Sequence, residues 1–144
     1  MSGFPEEEPV GIQRTLGFSV EAWEDGRAVL VLEVDERHLN RSGVLHGGVA
    51  VTLLDQAMSL SGLWTPEDDP GGRRKSVTLS LTTSFTGQCD GGVIRAVGTR
   101  RAAGRRIYSC SGELTGPDGT VLAIAQATFQ LRRGSERPQP PSDG

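Results

Sequence analysis

The sequence predicts an α+β protein, an antiparallel sheet of about six strands wrapped around one long central helix. Three observations carry this expectation. Residues 76–85 alternate, with Val77, Leu79, Leu81 and Phe85 on one face and Ser76, Thr78, Ser80, Thr82 and Ser84 on the other; this is the period of a half-buried strand. Three more strand-like stretches follow at 93–102, 106–114 and 120–131, joined by connections too short for anything but antiparallel pairing. Ahead of them, residues 47–64 carry Val49, Ala50, Leu53, Leu54, Ala57, Met58, Leu60 and Trp64 around most of a helical circumference. Such a helix is buried on several sides.

Taken in order, residues 1–13 form an N-terminal segment, 14–131 the folded domain and 132–144, with three prolines, a loose tail. The segment 1–9 is acidic and lacks the basic-then-apolar pattern of a signal peptide. Residues 14–23 and 27–34 read as two strands joined at Glu24-Asp25-Gly26. The helix ends before Pro66, and the Pro- and Gly-rich stretch 67–74 is a surface loop. Ala103-Gly104 and Pro117-Asp118-Gly119 are turns between the later strands. In the last strand Val121, Ala123, Ala125, Ala127, Phe129 and Leu131 share a face.

A length of 144 residues fits one domain. The net charge of −3 excludes general attraction to nucleic acid or an anionic membrane. Residues 43–65 are long enough to cross a bilayer, but His46, Asp55, Gln56 and a glycine pair argue against a span. Cys89 and Cys110 lack metal-type spacing, and with the N-terminus they favour a cytoplasmic location with reduced thiols.

Between Arg41 and Glu67 the only formally charged residue is Asp55. A carboxylate on an apolar helix is costly unless paired, protonated or used. Thr52, Asp55, Ser59 and Gly62 recur at helical spacing and form a small, polar stripe able to line a cleft. His46-Gly47-Gly48 stands where the helix begins. A helix N-terminus offers free N–H groups and partial positive charge, and its glycines admit a ligand close to the backbone. That arrangement stabilises an oxyanion forming on a carbonyl, although a glycine pair before a helix can also be an ordinary turn.

The run Asn40 to Gly48, followed seven residues later by Asp55, resembles the N-x-x-G-x-x-H-G-G signature and spaced acid of the PaaI-like hotdog thioesterases. The resemblance implies a hotdog fold and hydrolysis of acyl-CoA thioesters without metal or organic cofactor. It implies Asp55 as general base or nucleophile and the Gly47 N–H as oxyanion donor. His46 and Asn40 then shape the turn and the thioester site, with Gly48 beside the substrate. Ser59 and Ser76 are both candidates for the hydroxyl near the attacking water. The chain departs from the family after the helix, where Thr78, Thr82-Thr83 and Thr86-Gly87 replace an acid, Asn-Tyr and Pro, so the acyl group stays open.

Arg100, Arg101, Arg105 and Arg106 bracket one hairpin turn; they form a solvated tip or, for Arg105 and Arg106, hold CoA phosphates. Gly47 and Asp55 lie about 12 Å apart along the helix at ~1.5 Å per residue, too far to serve one carbonyl. The expected assembly is therefore a homo-oligomer, a dimer sharing its sites, paired further into a tetramer. Two other readings use the same fold: a non-catalytic acyl-CoA-binding protein and an enoyl-CoA hydratase.

Overall fold

The computed structural model describes residues 8–66, 69 and 73–138. Its elements are helix α1 (Gly11–Leu16), strands β1 (Ser19–Glu24) and β2 (Arg27–Val34), helix α2 (Gly47–Ser61), and strands β3 (Ser76–Phe85), β4 (Gly92–Ala103), β5 (Ile107–Thr115) and β6 (Val121–Leu131). All six strands join one antiparallel sheet in the order β1-β2-β4-β5-β6-β3. The edges are therefore β1 and β3.

Helix α2 lies across the sheet, and its apolar side chains Leu53, Leu54, Ala57 and Met58 are fully buried. Two strand glycines permit this approach. A Cβ on Gly98 of β4 would lie 2.3 Å from the Ala57 backbone, and one on Gly112 of β5 would lie 3.1 Å from Leu54 and Met58. The last turn of α2 is pinned by Trp23 of β1, whose indole N–H donates to the Leu60 carbonyl at 2.7 Å. With 15 residues α2 is too short to cross a membrane, and no described helix is long and apolar enough to do so.

Four expectations are corrected. Residues 14–23 do not form one strand: Arg14–Leu16 end α1, and Gly17, at φ 85°, closes that helix with its N–H on the Gln13 carbonyl. Glycine takes this left-handed turn without strain, and Phe18 then plugs the core. Helix α2 stops at Ser61 rather than Trp64, with the Gly62 N–H reaching back to Ser59. The tail is not loose at its start, since the Arg137 N–H binds the Arg105 carbonyl and its guanidinium binds the Gly62 carbonyl; residues 139–144 lie outside the described residues.

The fourth concerns β3, where register shifts between Thr78 and Ser80. A bulge of one residue exchanges the faces of a strand. Val77 and Leu79 consequently point away from the helix, 44% and 52% exposed, while Leu81 packs against the core. The polar pair Ser76 and Thr78 is turned toward α2 instead. The face of β6 is as expected, with Ala123, Ala125, Ala127, Phe129 and Leu131 all buried.

Candidate active site

Helix α2 keeps one half-exposed stripe, Val51, Thr52, Asp55, Gln56 and Ser59, along the side next to β3. Residues four apart on a helix and two apart on a strand are separated by about 6 Å and ~7 Å, so two rungs can form between the elements. Both do. Thr78 Oγ1 donates to Asp55 Oδ1 at 2.7 Å, and Ser76 Oγ lies 3.1 Å from Ser59 Oγ. Asp55 Oδ2 has no hydrogen-bond partner among the described residues. The expected stripe is otherwise trimmed. Thr52 spends its hydroxyl on the Gly48 carbonyl, and Gly62 is buried beneath the ring of Tyr108.

Tyr108, on β5, meets the second of these rungs from inside the fold. Its ring is 1% exposed and stacks on Phe129, with centroids 5.1 Å apart. The phenol oxygen lies 2.8 Å from the Ser59 carbonyl and 2.9 Å from Ser76 Oγ. Burial pushes the phenol pKa up to about 12, because desolvation disfavours the tyrosinate.

The N-terminus of α2 is the second cluster. Asn40 Oδ1 accepts from the Ser42 and Val44 N–H groups at 2.9 and 3.3 Å, and Gly43, at φ 79°, completes the turn. His46 is the N-cap: its Nδ1 accepts from the Gly48 N–H at 2.8 Å, which leaves its ring proton on Nε2. The Gly48 donor is thus already engaged. The Gly47 N–H donates to nothing among the described residues and is the free donor of this turn. Phe85, at the end of β3, stands over it: a Cβ on Gly47 would be 3.3 Å from the Phe85 ring.

Two groups of one chain thus sit at different heights of α2, Asn40, His46 and Gly47 at its start and Asp55, Ser59 and Ser76 at its middle and end. The hairpin arginines divide. Arg100 is paired with Asp25 at 2.7 Å and Arg101 with Ser111 on the outer face of the sheet. Arg105 and Arg106 form no ion pair among the described residues. Thr78, Tyr108 and Phe85 were not anticipated as site residues.

A 1,4-dihydroxy-2-naphthoyl-CoA hydrolase of Listeria monocytogenes is 26% identical over 124 residues, covering 86% of this chain and 98% of the relative. A solved variant of the phenylacetic acid degradation protein PaaI of Thermus thermophilus superposes with a TM-score of 0.69 at 25% identity, over 82% of this chain and 96% of that one. These likenesses support a place in the PaaI-like hotdog thioesterase family. A thioesterase of Haemophilus influenzae shares the hotdog fold, with a TM-score of 0.74 at 23% identity over 83% of this chain and 81% of that one. No protein-family model matches the sequence. In this chain Asp55 lies in the middle of α2 and the free Gly47 N–H at its start.

Proposed function

We propose that the chain hydrolyses an acyl-CoA thioester to the free acid and CoA. The observation that carries this is Asp55, the one carboxylate of α2, half-exposed and held by Thr78, with its second oxygen unpartnered among the described residues. A water molecule donating to Asp55 Oδ2 is deprotonated as its oxygen attacks the thioester carbon. The carbonyl electron pair moves onto oxygen, where the N–H of Gly47 of the partner subunit receives it. Collapse expels the CoA thiolate, which recovers the proton from Asp55. Asn40 and His46 act by building the turn that leaves Gly47 free, and Gly48 is the capped residue that lets a substrate approach. Arg105 and Arg106, which form no ion pair among the described residues, are available to CoA phosphates.

A dimer shared across two central helices satisfies the spacing of Gly47 and Asp55. It is supported by the outer edge of β3, a ten-residue strand with exposed Val77 and Leu79 that pairs with β6 on one side and with no described strand on the other. The relative that acts on an aromatic acyl-CoA places aromatic thioesters first in the substrate panel, ahead of medium- and long-chain ones.

The test is a hydrolysis screen over that panel, read as release of the CoA thiol. At least one thioester should turn over, and Asp55→Asn should lower its kcat by ~10²–10⁴ without lowering Tm. Near wild-type turnover by a folded Asp55→Asn protein would make the carboxylate structural.

A further inference from the structure

We propose that Tyr108 is a positioning residue that sets the polarity of Ser76, committing the serine proton inward so that its oxygen can only accept from the cleft. Proton accounting carries the inference. The Tyr108 oxygen and the Ser59 carbonyl oxygen are 2.8 Å apart, a separation that requires a hydrogen between them. The carbonyl has none, so the single phenol proton lies there. The phenol is also placed to donate to Ser76 Oγ, 2.9 Å away, but its one proton is committed to the carbonyl, so the hydrogen of this second contact falls to Ser76. Ser76 then has no proton left for Ser59, 3.1 Å away, so Ser59 donates to it. By this accounting the bonds run from the Ser59 hydroxyl to Ser76, from Ser76 to Tyr108 and from Tyr108 to the Ser59 carbonyl.

The anchor is rigid. The ring of Tyr108 is clamped between Phe129 and Gly62, where a Cβ would meet it at 2.2 Å, and Arg137 lies 5.9 Å from its centroid while binding the Gly62 carbonyl. Burial holds the phenol protonated well above neutral pH, so the pattern does not invert as pH rises. A serine hydroxyl otherwise rotates freely between donor and acceptor roles. Fixed as an acceptor, Ser76 takes one proton of a water whose other proton goes to Asp55, and the water lone pair is left for the carbonyl carbon. Ser76 is thereby excluded as a donor to the oxyanion.

The assignment of the water rests on the thioesterase reading; the direction of the bonds does not. Tyr108 is the only tyrosine, so the tyrosine doublet of the Raman spectrum, whose intensity ratio reports whether a phenol donates or accepts, belongs to it alone. In the wild type it should show a phenol that does both. Ser76→Ala should move it to a phenol that only donates; an unchanged ratio, or a move the other way, overturns the proposal whatever the activity. For kinetics, Tyr108→Phe keeps the ring and should lower kcat roughly tenfold at near-constant KM. In a Ser76→Ala background the same change should have no further effect. Equal losses in both backgrounds would mean that Tyr108 acts through the fold rather than through Ser76. A wild type without turnover on any thioester would sink the functional reading, while the Raman comparison still decides the bond direction.

Discussion

Thr78 and Asp55 are joined by a 2.7 Å hydrogen bond that ties the open edge strand β3 to the central helix. The bond exists because the bulge after Thr78 turns a threonine, rather than Val77 or Leu79, toward α2. An ionised carboxylate offers only acceptors, so the threonine proton is its natural partner. One oxygen is thereby fixed and the other has no partner among the described residues.

Thr78→Val keeps shape and β-branching but removes that donor. Its kcat should fall roughly tenfold, the worth of one hydrogen bond to a charged group, with Tm within a few degrees of wild type. Thr78→Ser should recover most of the rate. A Thr78→Val enzyme as fast as the parent would show that the bond steadies β3 and does not orient the carboxylate.

The packing of α2 makes a separate demand. A Cβ on Gly98 would lie 2.3 Å from the carbonyl of Ala57, a backbone atom that cannot swing aside as a side-chain tip can. Gly98→Ala should destabilise by ~1–3 kcal/mol or more, lowering Tm by roughly 5–10 °C in a chain of this size. Calorimetry decides it; an unchanged Tm would mean that the helix slides off the sheet at no cost.

How much of this was legible follows from what each residue answers to. Helix α2 and the strands after it follow from periodicity, since Leu53, Leu54, Ala57 and Met58 face the sheet whatever their individual partners. Asp55 stood out for the same reason, as the one charge on that helix. The bulge at Leu79 was not legible, because nothing in residues 76–85, neither Gly nor Pro, interrupts the alternation. Without it Thr78 has no route to Asp55. Tyr108 reads as one more inward residue of a strand that also buries Cys110 and Leu114, and only the tertiary fold brings its hydroxyl to Ser59 and Ser76. The helical turn of Arg14–Leu16 could have been found from Gly17, a helix-ending glycine set just before an apolar residue.

Arg105 and Arg106 are free of ion pairs among the described residues, unlike Arg100. If they hold CoA phosphates, Arg105→Ala and Arg106→Ala should raise KM for acyl-CoA several-fold and leave kcat alone, the pattern of lost uniform binding. A short thioester lacking the nucleotide should hydrolyse at an unchanged rate. Equal losses on both substrates would assign the arginines to folding.

The proposed sharing of the site between two chains makes the sharpest demand. Gly47→Pro removes the free N–H of the α2 turn, and the local backbone accepts the change: Gly47 is the first helical residue, and His46 before it is already extended at φ −67°, ψ 132°. Proline suits that position and requires that geometry of its predecessor. A Cβ there meets Phe85 at 3.3 Å, an exposed side chain at a strand end that can shift. Asp55→Asn removes the proposed base. Each variant as a homodimer should be inactive, since both of its sites lose one essential group. In a heterodimer of the two, isolated with different tags, one site carries both defects and the other carries none. About half of the wild-type activity per dimer should return, as two equivalent sites require. If each site were built within one chain, both would stay damaged and the verified, folded heterodimer would remain inactive.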